Sequence, residues 1–371
     1  MRVLMVGPDL NLQGGVSQVI RLTLKYPPPD VDYVHSSTVS QSNASAHLPR
    51  THPRYYVRAV SNLAFLARAL KHISVQAREA DLAHIHIAVR GSTFRKYLVS
   101  RLLLRRGKPF IFHNHGGHYD QFFHRLPPQI QRLVREMFRA AQGTIVITQQ
   151  WVEIQTRIVD RPRYPIWLVY NPIELPPTLL TNATDPTLKL LFLGRLGDHK
   201  GSDRVLRAVA QLPPSLRARV RVFMAGDGAV EEMCELTQQM EIDHLTEIRD
   251  WITGTVKLRW MQETNAFILP SRSEGLPMSL LEAMAWGKAL IVSPVGGIPE
   301  FVDEGQEGFL VPPDDVEAIS SAIRCLAESP ELRARMGQAA RARVEPLDIQ
   351  RYRIRLGEVY REALEQTPTT R

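Results

Sequence analysis

Two glutamates eight positions apart, Glu274 and Glu282, bracket the stretch Ser271-Arg-Ser-Glu274-Gly-Leu-Pro277-Met-Ser-Leu-Leu-Glu282-Ala-Met-Ala-Trp-Gly287. An apolar strand ends at Pro270, which puts Glu274 in the loop at the carboxyl end of a sheet. Pro277 suits the first turn of a helix and Gly287 its end. Glu282 then falls on the helix face shared with Met278 and Ser279. The two carboxylates therefore flank a helix N-terminus, whose unpaired N–H groups and partial positive charge favour phosphate. Either glutamate alone reads as an ordinary solvated side chain. The string as a whole suits a ligand with hydroxyls at both ends and phosphates between them, and a nucleotide sugar is such a ligand.

Other residues extend the pattern. Arg195 and Lys200 lie after a strand and before a helix, in Gly194-Arg195-Leu196…Lys200-Gly201. Fixed cations there can stabilise the charge that builds on a departing nucleoside diphosphate, with no metal needed. Gly14 and Gly15 precede a helix, where missing side chains let backbone approach a phosphate. They do not make a dinucleotide fingerprint, because Gly7-Pro-Asp-Leu-Asn-Leu-Gln-Gly14-Gly15 is not G-x-G-x-x-G. His113-Asn-His115-Gly-Gly-His118 lacks a standard zinc spacing and an evident Cys or carboxylate partner, so no metal is expected.

These residues need a scaffold, and the chain alternates strand and helix twice over. In the first half, apolar runs occur at Val3–Val6, Val31–His35, Leu82–Ile87, Phe110–His113, Thr144–Ile147 and Ile166–Val169, with helical spacing between them. A second series occupies Lys189–Leu193, Val220–Ala225, Leu245–Arg249, Ala266–Leu269, Ala289–Ser293 and Gly308–Val311. The expected fold is α/β: two Rossmann-like, doubly wound domains facing each other across a cleft. The expected boundaries are an amino-terminal, acceptor-side domain over 1–172, a linker over 173–187, and a nucleotide-sugar-binding domain over 188–345. A closing helix over 346–371 is expected to pack back toward the first domain.

Charge divides the same way. The 371 residues carry a net +8, but residues 1–170 hold 23 Lys and Arg against 9 Asp and Glu, a net +14, and the remainder is net −6. Such a half could meet nucleic acid or an anionic membrane. No nucleic-acid recognition motif accompanies the charge, so nucleic acid is not expected. Basic residues are interleaved with apolar ones over Ser92–Arg106 and Arg54–His72, which reads as a surface for an anionic membrane. No apolar run approaches the ~18 residues of a membrane span. The opening Met1–Gly7 reads as a strand rather than a signal-peptide core, so a cytoplasmic protein, peripheral on the inner face of the membrane, is expected. Cys234 and Cys325 form no disulfide or metal pattern and are read as helix packing residues.

Together the motifs resemble those of glycosyltransferase family 4, a family of GT-B enzymes that retain anomeric configuration. The resemblance rests on the Glu274…Glu282 string, on Gly296-Gly-Ile-Pro-Glu300, on the Arg195…Lys200 segment and on Gly226-Asp227-Gly228. Gly14-Gly15, Phe112-His-Asn-His115-Gly-Gly and Asn171-Pro172-Ile173 follow the family's order. The resemblance implies that Arg195 and Lys200 grip the donor diphosphate, that Glu282 binds ribose hydroxyls and that Glu274 binds the donor sugar. It also implies that backbone N–H groups of Gly275, Leu276, Pro277's neighbours and Met278 hold sugar and phosphate. Gly14, Gly15 and Gly226 complete the donor set, with the base near Asp250 and Trp251, unless Trp251 is a core residue. His115 matches the family's donor-facing histidine, with His113 the alternative.

The activity implied is transfer of a hexose-type sugar from a UDP- or GDP-sugar to a glycan or lipid-linked acceptor, in cell-surface polysaccharide or glycolipid synthesis. No cofactor is implied, and the nucleotide sugar is substrate. A non-catalytic nucleotide-sugar or polyanion binder, or a GT-B epimerase, is the alternative.

Overall fold

In the computed structural model, residues 1–39, 53–177 and 185–366 are described, with the side chains of 53–60 left aside. Part of the expected linker, and Arg54, Tyr55, Tyr56 and Arg58 of the basic stretch, thus lie outside the described side chains.

Two compact units emerge: Met1–Pro172 together with the chain from Ile349, and Ile173–Asp348. The amino-terminal unit holds β1 (Arg2–Gly7), α1 (Gly15–Lys25), β2 (Asp32–Ser37), α2 (Pro53–Gln76), β3 (Leu82–Ile87), α3 (Gly91–Arg105) and β4 (Phe110–Asn114). It continues through α4 (Tyr119–His124), α5 (Pro128–Arg139), β5 (Thr144–Val146), α6 (Gln149–Val159) and β6 (Ile166–Leu168). The carboxyl-terminal unit holds β7 (Leu188–Leu193), α7 (Ser202–Ala210), α8 (Pro214–Arg217), β8 (Val220–Ala225), α9 (Val230–Gln239), β9 (Thr246–Arg249) and α10 (Gly254–Glu263). Then come β10 (Ala266–Leu269), α11 (Met278–Ala285), β11 (Ala289–Val292), β12 (Gly308–Leu310), α12 (Val316–Glu328) and α13 (Pro330–Val344). Helix α14 (Ile349–Glu365) returns to the amino-terminal unit.

Both sheets are parallel, in the orders β2-β1-β3-β4-β5-β6 and β12-β11-β10-β7-β8-β9. Parallel strands covered by helices on both faces are apolar throughout rather than alternating. Strands β3, β4, β10 and β11 are accordingly buried at every position, while the edge strand β9 is not. In each order the chain winds one way from a central strand, then returns to wind the other way. The direction reverses between β1 and β3, and between β7 and β10. Ligands of doubly wound folds bind outside the carboxyl ends of the strands at this switch.

Helix α14 is tied into its unit by polar groups 195 or more positions away in sequence. Tyr360 Oη lies 2.7 Å from His84 Nδ1 and 3.0 Å from Tyr33 Oη. Trp167 Nε1 donates to Glu362 at 2.6 Å, and Tyr352 Oη meets Thr23 Oγ1 at 3.3 Å. None of these bonds follows a helix or strand repeat, so local periodicity does not foretell them. One expectation fails outright: Cys325 is exposed on α12 and Cys234 only half-buried, so neither thiol is a core packing group.

Candidate active site

In the carboxyl-terminal unit, β7 ends at Leu193 and the next turn must pass close to the turn after β8. A Cβ on Gly226 would lie 1.8 Å from the carbonyl oxygen of Gly194, so only glycine lets the two turns meet. They are stitched by Leu196 N–H to Asp227 O at 2.7 Å and Ala229 N–H to Leu196 O at 3.2 Å. This fixes Arg195, whose guanidinium is largely exposed and 3.9 Å from the Asp227 carboxylate. Lys200 follows at the entry to α7.

The loop after β10 approaches from the other side of the switch. There Glu274, 8% exposed, accepts bonds from Lys200 Nζ at 2.5 Å and Ser271 Oγ at 2.7 Å. A nearly buried carboxylate is tolerated because it is paired and hydrogen-bonded. The backbone of Glu274 is held in turn: Gly296 has φ +60, and a Cβ there would lie 2.2 Å from Glu274 O. Gly297 N–H donates to Gly275 O at 2.6 Å. Arg272 bridges the two loops, pairing with Asp198 and bonding Asp314 at 2.9 Å, while the buried Arg204 holds Asp198 at 2.7 Å. The Asp198 carboxyl is accordingly lowered by the Arg204 hydrogen bond.

Helix α11 begins after Pro277 with no side-chain cap and no acidic residue in its first turn. Its first N–H groups thus have no side-chain partner, the condition for anion binding. Glu282, one turn on, pairs with Lys257 of α10 at 2.7 Å. The structure therefore gathers Lys200 and Glu274 directly, and sets Arg195, Gly226 and the α11 terminus around the β7/β10 switch. Lys257, Arg272 and Asp227 were not legible as partners, because each belongs to a different loop or helix from the residue it holds; Ser271 lies only three positions from Glu274 in the same loop. Asp250 and Trp251 follow β9, two strands from β7, which is roughly 10 Å at ordinary strand spacing. Asp250 Oδ1 accepts the Trp251 N–H at 2.6 Å. Trp251 is half-exposed, so the core reading of it is wrong; the buried indole of the carboxyl-terminal unit is Trp260, edge-on to Phe223.

Gly14, Gly15, His113 and His115 belong to the amino-terminal unit. Gly14 has φ +135, a conformation that excludes ordinary side chains, and caps α1 without a side-chain bond. The histidines form a ladder that spacing along one strand could not show. His84 and His86 of β3 stack with His113 of β4 and with His115 just beyond it, at centroid distances of 4.1 to 5.2 Å. His84 Nε2 meets His113 Nδ1 at 3.1 Å, and His86 Nδ1 meets His115 Nε2 at 2.8 Å. His113 is fully buried behind this ladder, whereas His115 is half-buried at the strand end. Burial lowers the His84 and His115 imidazoles to about 3, so both are neutral at neutral pH. Nitrogens of His84, His86 and His113 come within 4.8 Å of one another. Of these nitrogens, His84 Nε2 and His113 Nδ1 face each other, His86 Nε2 lies 2.9 Å from Met5 Sδ, and His113 Nε2 has no hydrogen-bond partner among the described residues.

Residues 181–343 match the family model for glycosyl transferases group 1. The chain is 32% identical over 183 residues to a D-inositol 3-phosphate glycosyltransferase of Streptomyces scabiei, covering 47% of this chain and 41% of that one. It spans between 35% and 43% of the length of this and two similar relatives. An alpha-D-kanosaminyltransferase of Streptomyces kanamyceticus is 26% identical over 310 residues, 76% of this chain and 77% of that one. Among solved structures, sucrose-phosphate synthase from Thermosynechococcus elongatus superposes with TM-score 0.76 at 18% identity, covering 97% of this chain and 98% of the other. HepE of Anabaena in complex with UDP-glucose superposes with TM-score 0.74 at 16% identity, covering 97% and 99%. The chain thus has the GT-B fold of these structures, and most of its carboxyl-terminal unit matches the glycosyl transferases group 1 family model.

Proposed function

We propose that this protein is a retaining glycosyltransferase that moves a hexose-type sugar from a UDP- or GDP-sugar to a glycan or lipid-linked acceptor. The observation that carries the reading is the Lys200–Glu274 pair set beside Arg195 at the β7/β10 switch. A cation for the departing diphosphate and an acceptor for sugar hydroxyls already touch. In this reading the donor's C1–O bond breaks and its electron pair passes to the diphosphate. Arg195, Lys200 and the α11 terminus stabilise that charge without a metal. The acceptor hydroxyl attacks the same face of C1, and the departing phosphate oxygen takes its proton.

The test is a thermal-shift panel of UDP, GDP, ADP and their sugar conjugates, followed by nucleoside diphosphate release in EDTA. One base should raise Tm, and its sugar conjugate should be turned over with chelator present. Binding without any release would make the protein a non-catalytic binder. Release that needs added Mg²⁺ or Mn²⁺ would remove the metal-free mechanism.

The basic amino-terminal half supports a working place on an anionic membrane. No helix among the described residues is long and apolar enough to cross one. Helices α2 and α3 instead expose Leu63, Phe94 and Leu98. Between them runs a groove of about 440 Å³ lined by Leu70, Tyr97, Leu98, Arg101, Leu102 and Arg105. Exposed apolar groups beside cations suit the boundary of a bilayer, where each cation contributes about 1 kcal/mol. Co-sedimentation with liposomes should require anionic lipid, weaken with salt and drop in an Arg101/Arg105/Arg106→Gln triple variant. Equal sedimentation of wild type and variant would remove these arginines from the binding surface, and none at low salt would point to a soluble acceptor.

A further inference from the structure

Lys96 of α3 is 2% exposed, yet among the described residues its one hydrogen bond runs from Nζ to Thr38 Oγ1, at 2.6 Å. An ammonium has three donors, and burying it without a counter-ion is costly. Among the described residues no ion pair includes Lys96, and the neighbouring charge acting on it is that of Arg95, of the same sign. Burial first, and Arg95 second, push its amine well below the ordinary lysine range.

The position is as telling as the missing partner. Thr38 N–H and Oγ1 both bond the carbonyl of Gly7, the last residue of β1, at 3.0 and 3.3 Å. Lys96 therefore points to the carboxyl ends of β1 and β2, beside the β1/β3 switch. His35 of β2 stands near it, and its Nε2 is buried with no hydrogen-bond partner. Burial lowers the His35 imidazole, a backbone hydrogen bond with Pro8 opposes the shift, and the charges it feels are those of Lys96 and Asp9. A lysine lacking its anion and an imidazole nitrogen lacking its partner meet where a doubly wound sheet takes ligands. A merely structural lysine would be expected to have a carboxylate or several carbonyls around it.

We propose that Lys96, assisted by His35 and Thr38, forms a phosphate-binding subsite in the amino-terminal unit, one that holds a phosphate carried by the second substrate. The assignment to the second substrate rests on the transferase reading; the site itself does not. The phosphate could belong to a soluble sugar phosphate or to a lipid carrier.

The experiment measures binding to the full chain without nucleotide, by calorimetry, with inorganic phosphate, a hexose 6-phosphate and farnesyl diphosphate as probes. The comparison is wild type against Lys96→Met and His35→Gln. Lys96→Met removes an uncompensated buried charge at similar volume, so its unliganded Tm should be unchanged or raised. At least one probe should bind wild type, with Kd weakened at least ~10-fold in Lys96→Met and less in His35→Gln. Preference for the hexose 6-phosphate identifies a soluble acceptor, and preference for farnesyl diphosphate a lipid carrier. No binding of any probe to wild type, or equal binding to Lys96→Met, overturns the subsite. Should Lys96→Met fail to fold, Lys96→Arg takes its place: retained phosphate binding supports the site, and wild-type binding in Thr38→Val together with His35→Gln overturns it. Loss of donor turnover with Lys96-dependent phosphate binding intact would sink the transferase reading and leave the subsite standing.

Discussion

Lys200→Ala should lower turnover of the donor by about 10²-fold or more and lower Tm as well, whereas Arg195→Ala should lower turnover with Tm nearly unchanged. The shared loss follows from removing a fixed cation where charge develops on the diphosphate. The difference follows from burial. Arg195 is mostly exposed and only 3.9 Å from Asp227, so its removal strands nothing. Lys200 pairs with a Glu274 side chain that is 6% exposed. Its removal leaves that carboxylate with Ser271 alone, at a cost of about 1–3 kcal/mol. For a domain of this size that is about 2–4 °C of Tm per kcal/mol. Adding Glu274→Gln to Lys200→Ala should recover Tm but not turnover, because the stranded charge is gone and the cation is still missing. Steady-state kinetics and thermal melts of the four proteins decide the matter. Wild-type kinetics in either single variant would remove the diphosphate assignment.

The two glutamates should part company when free nucleotide and whole donor are compared. Glu282→Ala should weaken free nucleoside diphosphate by roughly 10- to 100-fold, the loss of charge-assisted bonds to ribose hydroxyls. Its fold should survive, since Lys257 is 29% exposed and can be hydrated. Glu274→Ala should instead reduce turnover of the sugar donor by about 10²-fold while free nucleoside diphosphate still binds within about 3-fold. Titration of UDP or GDP against both variants, beside donor kinetics, separates the roles. Glu274→Ala weakening the free nucleotide as much as Glu282→Ala does would show the division to be wrong.

Both predictions use pairings that the chain's order does not display. Lys200 and Glu274 are 74 positions apart, and Lys257 and Glu282 are 25 apart. The first pair meets because β10 returns to lie beside β7 after two strands have been laid on the other side, and the second joins the helices before and after β10. The same is true of the histidines: only β3 beside β4, in the register His86 opposite His113, makes a ladder of them.

The sequence by itself determined the local structure. Every strand core read from the apolar runs is a strand, within one or two residues at its ends. Hydrophobic runs and helical spacing are written in neighbouring residues, and a buried parallel strand has little choice but to be apolar. The glycines at the turns, the proline before α11 and the cations after β7 were equally legible, because a turn or a helix start imposes its demand within a few residues. Tertiary structure alone decided which charge faces which. It placed Lys96 under Thr38 with no carboxylate paired to it among the described residues, exposed Cys325, buried Trp260 rather than Trp251, and brought α14 back to His84 through Tyr360. Burial and pairing depend on what a strand order brings from far along the chain, and no local periodicity carries that information.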